Sequence, residues 1–243
     1  IAVISEADHI FPYKNQVAAW SRNNVVTLKG APHFPDIQAL LDRLVVDKGL
    51  VATKFSHATK TYADNAYVQT MVAQELWKQT SRFINHMTAS PREVLEIGFG
   101  NGTLTQAYAD KLQGCHLRLW DIAPMPMPPY APSDASMECC DAEIAISSIK
   151  AGSVDLLLSS STMQWFHSVP KFIGKLPLVL SLHGIAAIAL YGKGTYGEIE
   201  SVTGRSLSYP SLEILSDAAR ESGLRILYSA EKRKSICFKS VNT

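Results

Sequence analysis

The segment of the 243-residue chain best equipped for chemistry is Val94-Leu-Glu-Ile-Gly-Phe-Gly-Asn-Gly102. An apolar run ends in a turn with glycines at 98, 100 and 102, and helix-forming residues follow at once. Gly98, Gly100 and Gly102 permit the tight turn and let the backbone close on a ligand. Such a turn most often cradles a dinucleotide pyrophosphate, because the first amides of a helix favour anions. Two details oppose that occupant. The spacing is Gly-x-Gly-x-Gly rather than G-x-G-x-x-G, and Glu96 places a carboxylate at the strand end. An acid there repels a pyrophosphate. It suits S-adenosylmethionine, whose ammonium and sulfonium groups are both positive.

Further acids follow in the right order. The run Leu117–Trp120 ends at Asp121, one strand–helix unit after the glycine turn, where a carboxylate can accept both ribose hydroxyls, with Ile122 beside it. Asp141 and Ala142 precede the next helix; Asp141 reads as that helix's N-cap or as a contact to an adenine amino group. Ser159 and Ser160 end the run 153–161, and ligands in open α/β sheets bind at such carboxyl ends.

The elements that must carry these residues alternate regularly. Strands are predicted over 94–97, 117–120, 154–158, 184–190 and 225–229, and helices over 103–112, 143–149, 171–180 and 211–222. Long helices are expected over 55–80, with Tyr67, Met71 and Leu76 at helical spacing. That alternation predicts an α/β fold, a Rossmann-like parallel sheet covered on both faces. A Pro-rich loop is expected over 124–132. Residues 1–46 read as a separate piece, with strands at 1–5 and 25–28 and helices at 15–21 and 35–46; the second domain covers 51–243. A net charge of +1 argues against a nucleic-acid binder. Four cysteines without CxxC spacing read as cytosolic thiols, with neither a metal site nor a disulfide frame. The longest apolar stretch, 173–191, is broken by Lys175, Pro177, His183 and Gly184, so no membrane span is expected and a cytoplasmic location follows.

Residues 51–233 resemble the malonyl-[acyl-carrier protein] O-methyltransferases of biotin synthesis. The glycine turn indicates only a class I methyltransferase. More specific are Phe55-Ser-His-Ala-Thr-Lys-Thr-Tyr62, Thr162-Met-Gln-Trp-Phe166 and Tyr209-Pro-Ser-Leu-Glu213. The resemblance implies S-adenosylmethionine as cofactor and a malonyl group on acyl carrier protein as acceptor. It places Tyr62, Gln164 and Trp165 around that acceptor, although Met163, Trp165 and Phe166 read equally as core residues. Lys54, Lys60, Lys171 and Lys175 together form a candidate basic rim for an acidic carrier, while each alone reads as a solvated face. Residues 1–46 resemble the C-terminal end of an α/β-hydrolase of the pimeloyl-[acyl-carrier protein] methyl ester esterase group. Asp8 stands in the position of the triad acid and His33 in that of the histidine, but no G-x-S-x-G elbow occurs, so this piece is expected to be inactive. The chain thus reads as starting inside a longer product, and the family's last sheet strand reads as missing. A methyltransferase for another small acid or a quinone-type acceptor, and a non-catalytic scaffold, are the competing readings.

Overall fold

The computed structural model describes residues 2–5, 25–28, 46–87, 89–195, 197, 201 and 209–234, with backbone alone over 2–5, 25–28 and 59–65. Two compact units divide at residue 46. In the first, β1 (Ala2–Ser5) pairs in parallel with β2 (Val25–Leu28), Ala2 opposite Val25. The expected helix at 15–21, that at 35–46 up to its last residue, and Asp8 and His33 lie outside the described residues.

The second unit begins with two 18-residue helices, α1 (Lys48–Asn65) and α2 (Tyr67–Ile84). Then come β3 (Glu93–Ile97), α3 (Thr103–Tyr108), β4 (His116–Asp121), β5 (Ser136–Cys139) and α4 (Ala142–Ala145), which continues as a 3₁₀ turn through Ser148. They are followed by β6 (Val154–Ser160), α5 (Val169–Ile173), α6 (Leu176–Val179), β7 (Leu180–Ala189) and α7 (Leu212–Glu221). The sheet is parallel throughout, in spatial order β5-β4-β3-β6-β7.

Strand alternation explains why both faces are covered. Val94 points to one side with Leu117, Leu119, Leu156 and Leu158, where Ala73 and Trp77 of α2 and Leu104 and Tyr108 of α3 pack. Leu95 and Ile97 point to the other with Trp120 and Leu157, against Ile146, Phe172, Ile173 and Leu176. Leu95, Leu156 and Leu157 are fully buried, and truncating one to Ala would cost about 2–5 kcal/mol.

Several elements differ from expectation, each for a physical reason. The β5 strand was not expected; all four of its residues are exposed, so the edge carries no apolar pattern. Pro170 and Pro177 each sit in a helical first turn and divide the expected helix 171–180 into α5 and α6. The expected strand 225–229 is irregular: Leu227 and Tyr228 are exposed and no ladder forms there. Tyr67 is 63% exposed and does not join the apolar face of α2. Among the described residues no helix is long and apolar enough to cross a membrane.

Candidate cofactor and acceptor site

Strand order reverses between β3 and β6, and the crevice at such a switch point is where open α/β sheets bind ligands. Register fixes what lies there. Ile97 aligns with Trp120 on one side and with Ser159 on the other, so Gly98, Asp121 and Ser160 emerge together at the carboxyl edge. A cleft opens over that edge. Its walls include Val51 and Phe55 of α1, the turn 97–101, Asp121 and Ile122, and the segments 140–142 and 160–162 with Trp165 and Phe166.

Gly98 and Gly100 both adopt positive φ, +73° and +52°, but their surroundings differ. A Cβ on Gly98 would lie 2.0 Å from Thr162 Oγ1, whereas one on Gly100 would meet nothing within 4 Å. Gly100 therefore borders open space in the cleft. Gly102 packs on Pro128, so the Pro-rich loop braces the start of α3. Asp121 holds the turn: Gly100 N–H donates to Oδ2 at 2.9 Å and Ala123 N–H to Oδ1 at 2.9 Å. Burial raises its carboxyl above the usual value. Each oxygen keeps acceptor capacity toward the cleft.

Glu96 sits elsewhere than its sequence position suggested. It is absent from the cleft walls; alternation turns it behind the glycine turn, where Thr105 Oγ1 donates to Oε2 at 2.8 Å and the Tyr108 hydroxyl donates to the same oxygen. Burial pushes its carboxyl up to about 7. It backs the glycine turn and does not line the cleft.

Asp141 is the N-cap of α4, accepting from Glu143 N–H at 3.0 Å, and it also lines the cleft, so both readings of it hold geometrically. Ile122 and Ala142 give apolar walls. Ser159 is buried and donates to the Ile97 carbonyl at 3.0 Å, tying β6 to β3 away from the cleft, whereas Ser160 lines it. The Oγ atoms of Ser160 and Ser161 and Nε1 of Trp165 are buried without a hydrogen-bond partner among the described residues, and such atoms on a cleft wall await a ligand's polar groups.

The segment 162–166 divides its work. Met163 is core, fully buried. Gln164, expected to face the acceptor, instead donates from Nε2 to the Ser161 carbonyl at 2.7 Å and lies outside the cleft walls. It steadies Ser161, whose φ of +53° is unusual for a side-chain-bearing residue. Trp165 does face the cleft, edge-on to Phe55 at 6.0 Å between ring centroids. Tyr62 lies in α1, but its side chain is outside the described residues, as is that of Lys60. Of the expected basic rim, Lys54 and Lys171 are exposed, while Lys175 donates to the Glu143 carbonyl at 2.7 Å.

Lys48 and Glu143 were not anticipated. Lys48 Nζ lies 2.7 Å from Asp141 Oδ1 and also bonds Glu143 Oε2, though the partners are 93 and 95 residues away.

No family model matches the chain. A malonyl-[acyl-carrier protein] O-methyltransferase of Bacteroides fragilis (strain 638R) is 30% identical over 251 residues, covering 98% of this chain and 48% of that protein. One of the same name from Bacteroides thetaiotaomicron is 29% identical over 199 residues, covering 79% of this chain and 73% of its own. The chain therefore spans about half the length of the first relative and about three quarters of the second. A plantazolicin methyltransferase solved in complex with SAH superposes with TM-score 0.54 at 18% identity, over 77% of this chain and 76% of the other. A SAM-dependent methyltransferase from Archaeoglobus fulgidus gives 0.52 at 14%, over 68% and 75%. With the parallel sheet, its switch point and the glycine turn, these likenesses identify the fold as the class I, Rossmann-like methyltransferase fold.

Proposed function

We propose that the chain transfers a methyl group from S-adenosylmethionine to the free carboxylate of a malonyl thioester carried on acyl carrier protein, in biotin biosynthesis. The observation that carries this reading is the similarity, along nearly the whole chain, to a protein named for that reaction.

The residues fit the cofactor. Asp121 would accept the ribose hydroxyls, Asp141 the adenine amino group, and Ile122, Ala142 and Phe166 would flank the base; Gly100 leaves room for the amino-acid end. S-adenosylmethionine supplies an electrophilic methyl on a sulfonium. The acceptor carboxylate, with an ordinary pKa near ~4, is already ionised at neutral pH, so the protein need supply no general base. Its tasks are to align the two reactants, worth roughly 7–11 kcal/mol when geometry is good, and to keep water out. Phe55 and Trp165 form the apolar wall suited to exclusion, and Trp165 Nε1 is a donor within the cleft region. Tyr62 keeps its place as a candidate acceptor contact. Lys54 and Lys171, exposed, are candidate contacts for an acidic carrier.

Residues 1–46 we read as the terminal part of a hydrolase domain, with Asp8 and His33 in the positions of its acid and histidine. The parallel pairing of β1 with β2 is what supports this reading. The test is direct: titrate S-adenosylmethionine by calorimetry, then supply malonyl-carrier protein, malonyl-CoA or free malonate with labelled donor. Methylation of the carrier-bound acceptor ahead of the other two is expected. Binding of the donor with transfer to none of them would refute the acceptor; no binding would refute the enzyme.

A further inference from the structure

Lys48 and Glu143, which are ion-paired with each other beside the cleft, have no role in the chemistry above. Lys48 stands at the start of α1 with its side chain only 12% exposed, its Nζ 2.7 and 2.8 Å from the two oxygens of Asp141 and bonded to Glu143 Oε2. The same ammonium lies 5.4 Å from the centre of the Phe166 ring, within cation–π range. Glu143 in turn accepts from the backbone N–H groups of His167 and Ser168, at 2.8 and 2.9 Å, and His167 Nδ1 lies 3.5 Å from Oε2. One carboxylate thus ties together α1, the start of α4 and the loop directly after Trp165 and Phe166. Lys48, Asp141 and Phe166 all line the cleft, as do Val51 and Phe55 further along α1.

We propose that Lys48 and Glu143 are positioning residues forming a latch that holds α1 down over the cofactor cleft, so that α1 must release Asp141 and Glu143 for the cofactor to enter or leave. The idea rests on the cofactor reading above. A charge-assisted set is the suitable fastener: Asp141 and Glu143 are two like charges two residues apart, and the Lys48 cation satisfies both. The latch also leaves its neighbour usable. Asp141 Oδ1 is shared between Lys48 and the Glu143 amide, while Oδ2, among the described residues, accepts from Lys48 alone and retains capacity for an amino donor.

The test compares Lys48→Met, Lys48→Arg and Glu143→Gln with the native chain, each first checked for native circular dichroism. Stopped-flow Trp fluorescence would follow S-adenosylmethionine binding and dissociation. Lys48→Met and Glu143→Gln should each speed both binding and dissociation about tenfold, the scale of one charge-assisted interaction, while Kd moves far less, because a latch that must open for both passages sets their rates. Lys48→Arg should restore most of the native rates. Dissociation within twofold of native in folded Lys48→Met would overturn the latch. Hydrogen exchange on the native protein decides the matter even if the variants misfold: cofactor should slow exchange of the amides of residues 51–58, and no slowing would overturn the proposal. A native chain that binds no cofactor would instead sink the functional reading beneath it.

Discussion

Gly98 and Gly100 offer a paired experiment in which one substitution separates folding from binding. Both residues hold left-handed backbone, so a Cβ costs about 1–2 kcal/mol at either place. At Gly98 the new atom would also fall 2.0 Å from Thr162 Oγ1, 2.2 Å from Cγ2 and 2.5 Å from Cβ. Forcing Thr162 aside adds about 1–3 kcal/mol of overpacking and disturbs its 3.0 Å bond to the Ser160 carbonyl. Gly98→Ala should therefore lose about 2–5 kcal/mol in all, against about 1–2 for Gly100→Ala. In a unit this size each kcal/mol lowers Tm by about 2–4 °C. Calorimetric melting should then show a clearly larger fall for Gly98→Ala, about twice as large at the middle of these ranges. Cofactor titration should show the opposite order among the folded proteins. Gly100→Ala places a methyl in that open space and should weaken S-adenosylmethionine binding at least about tenfold, one step of about 1.4 kcal/mol. Adding Thr162→Ala should restore part of the stability to Gly98→Ala and none to Gly100→Ala, because only the first pair is in contact. Equal melting losses, or native affinity in Gly100→Ala, would refute this account of the turn.

Other expectations follow from the same geometry. Burial pushes the Glu96 carboxyl up to about 7, so between its usual 4.5 and about 7 the folded chain holds a proton that the unfolded chain releases. Stability should fall as pH rises through that window, by about 3 kcal/mol when complete. Glu96→Gln should flatten the slope and melt higher than native at pH 8; parallel Tm–pH curves for the two proteins would contradict it. Asp121→Asn should weaken cofactor binding about 10–100-fold, the scale of a lost charged hydrogen bond, and lower Tm because an amide cannot accept from both Gly100 and Ala123. If the acceptor is a carboxylate, kcat should be level from pH 6 to 9, whereas a hydroxyl acceptor needing a base would give a rising limb; Cys140, pushed up to about 12, stays neutral throughout that range. Gln164→Ala should cost about 1 kcal/mol of stability through the Ser161 turn and weaken donor binding less than Asp121→Asn does.

Most of the sheet could be read from the sequence because its strands are buried on both faces. Residues 94–97 and 154–158 are near-continuous apolar runs, and their ends are punctuated by Gly98 and by the serines after Leu158. The β5 strand could not be read that way, since Ser136-Met-Glu-Cys139, among the described residues, pairs only along one edge and exposes every side chain. The helix expected over 171–180 failed for a local reason that was visible in the sequence. Pro170 and Pro177 both suit a first turn, and Gly174 stands between them, so two short helices fit better than one long one.

The site divides along a similar line. Residues set by strand ends were legible, because parallel register brings the ends of β3, β4 and β6 to a single edge: Gly98, Asp121 and Ser160 needed only the strand assignments. Side-chain direction was less so. Glu96 and Ser159 each stand one residue from a cleft-lining neighbour, and a period of two turns both away. Gln164 followed the same course, its amide spent on the Ser161 carbonyl. Lys48 was beyond sequence reasoning altogether. Lys48 is one of 23 Lys and Arg residues, and nothing local distinguishes it. Only the fold carries it 93 residues along the chain to Asp141, and a long-range ion pair leaves no periodicity, spacing or composition by which to find it. What sequence could supply was the acidic partner: Asp141-Ala-Glu143 sets two carboxylates beside a helix start, and such a pair, once half-buried, requires a cation from somewhere in the chain.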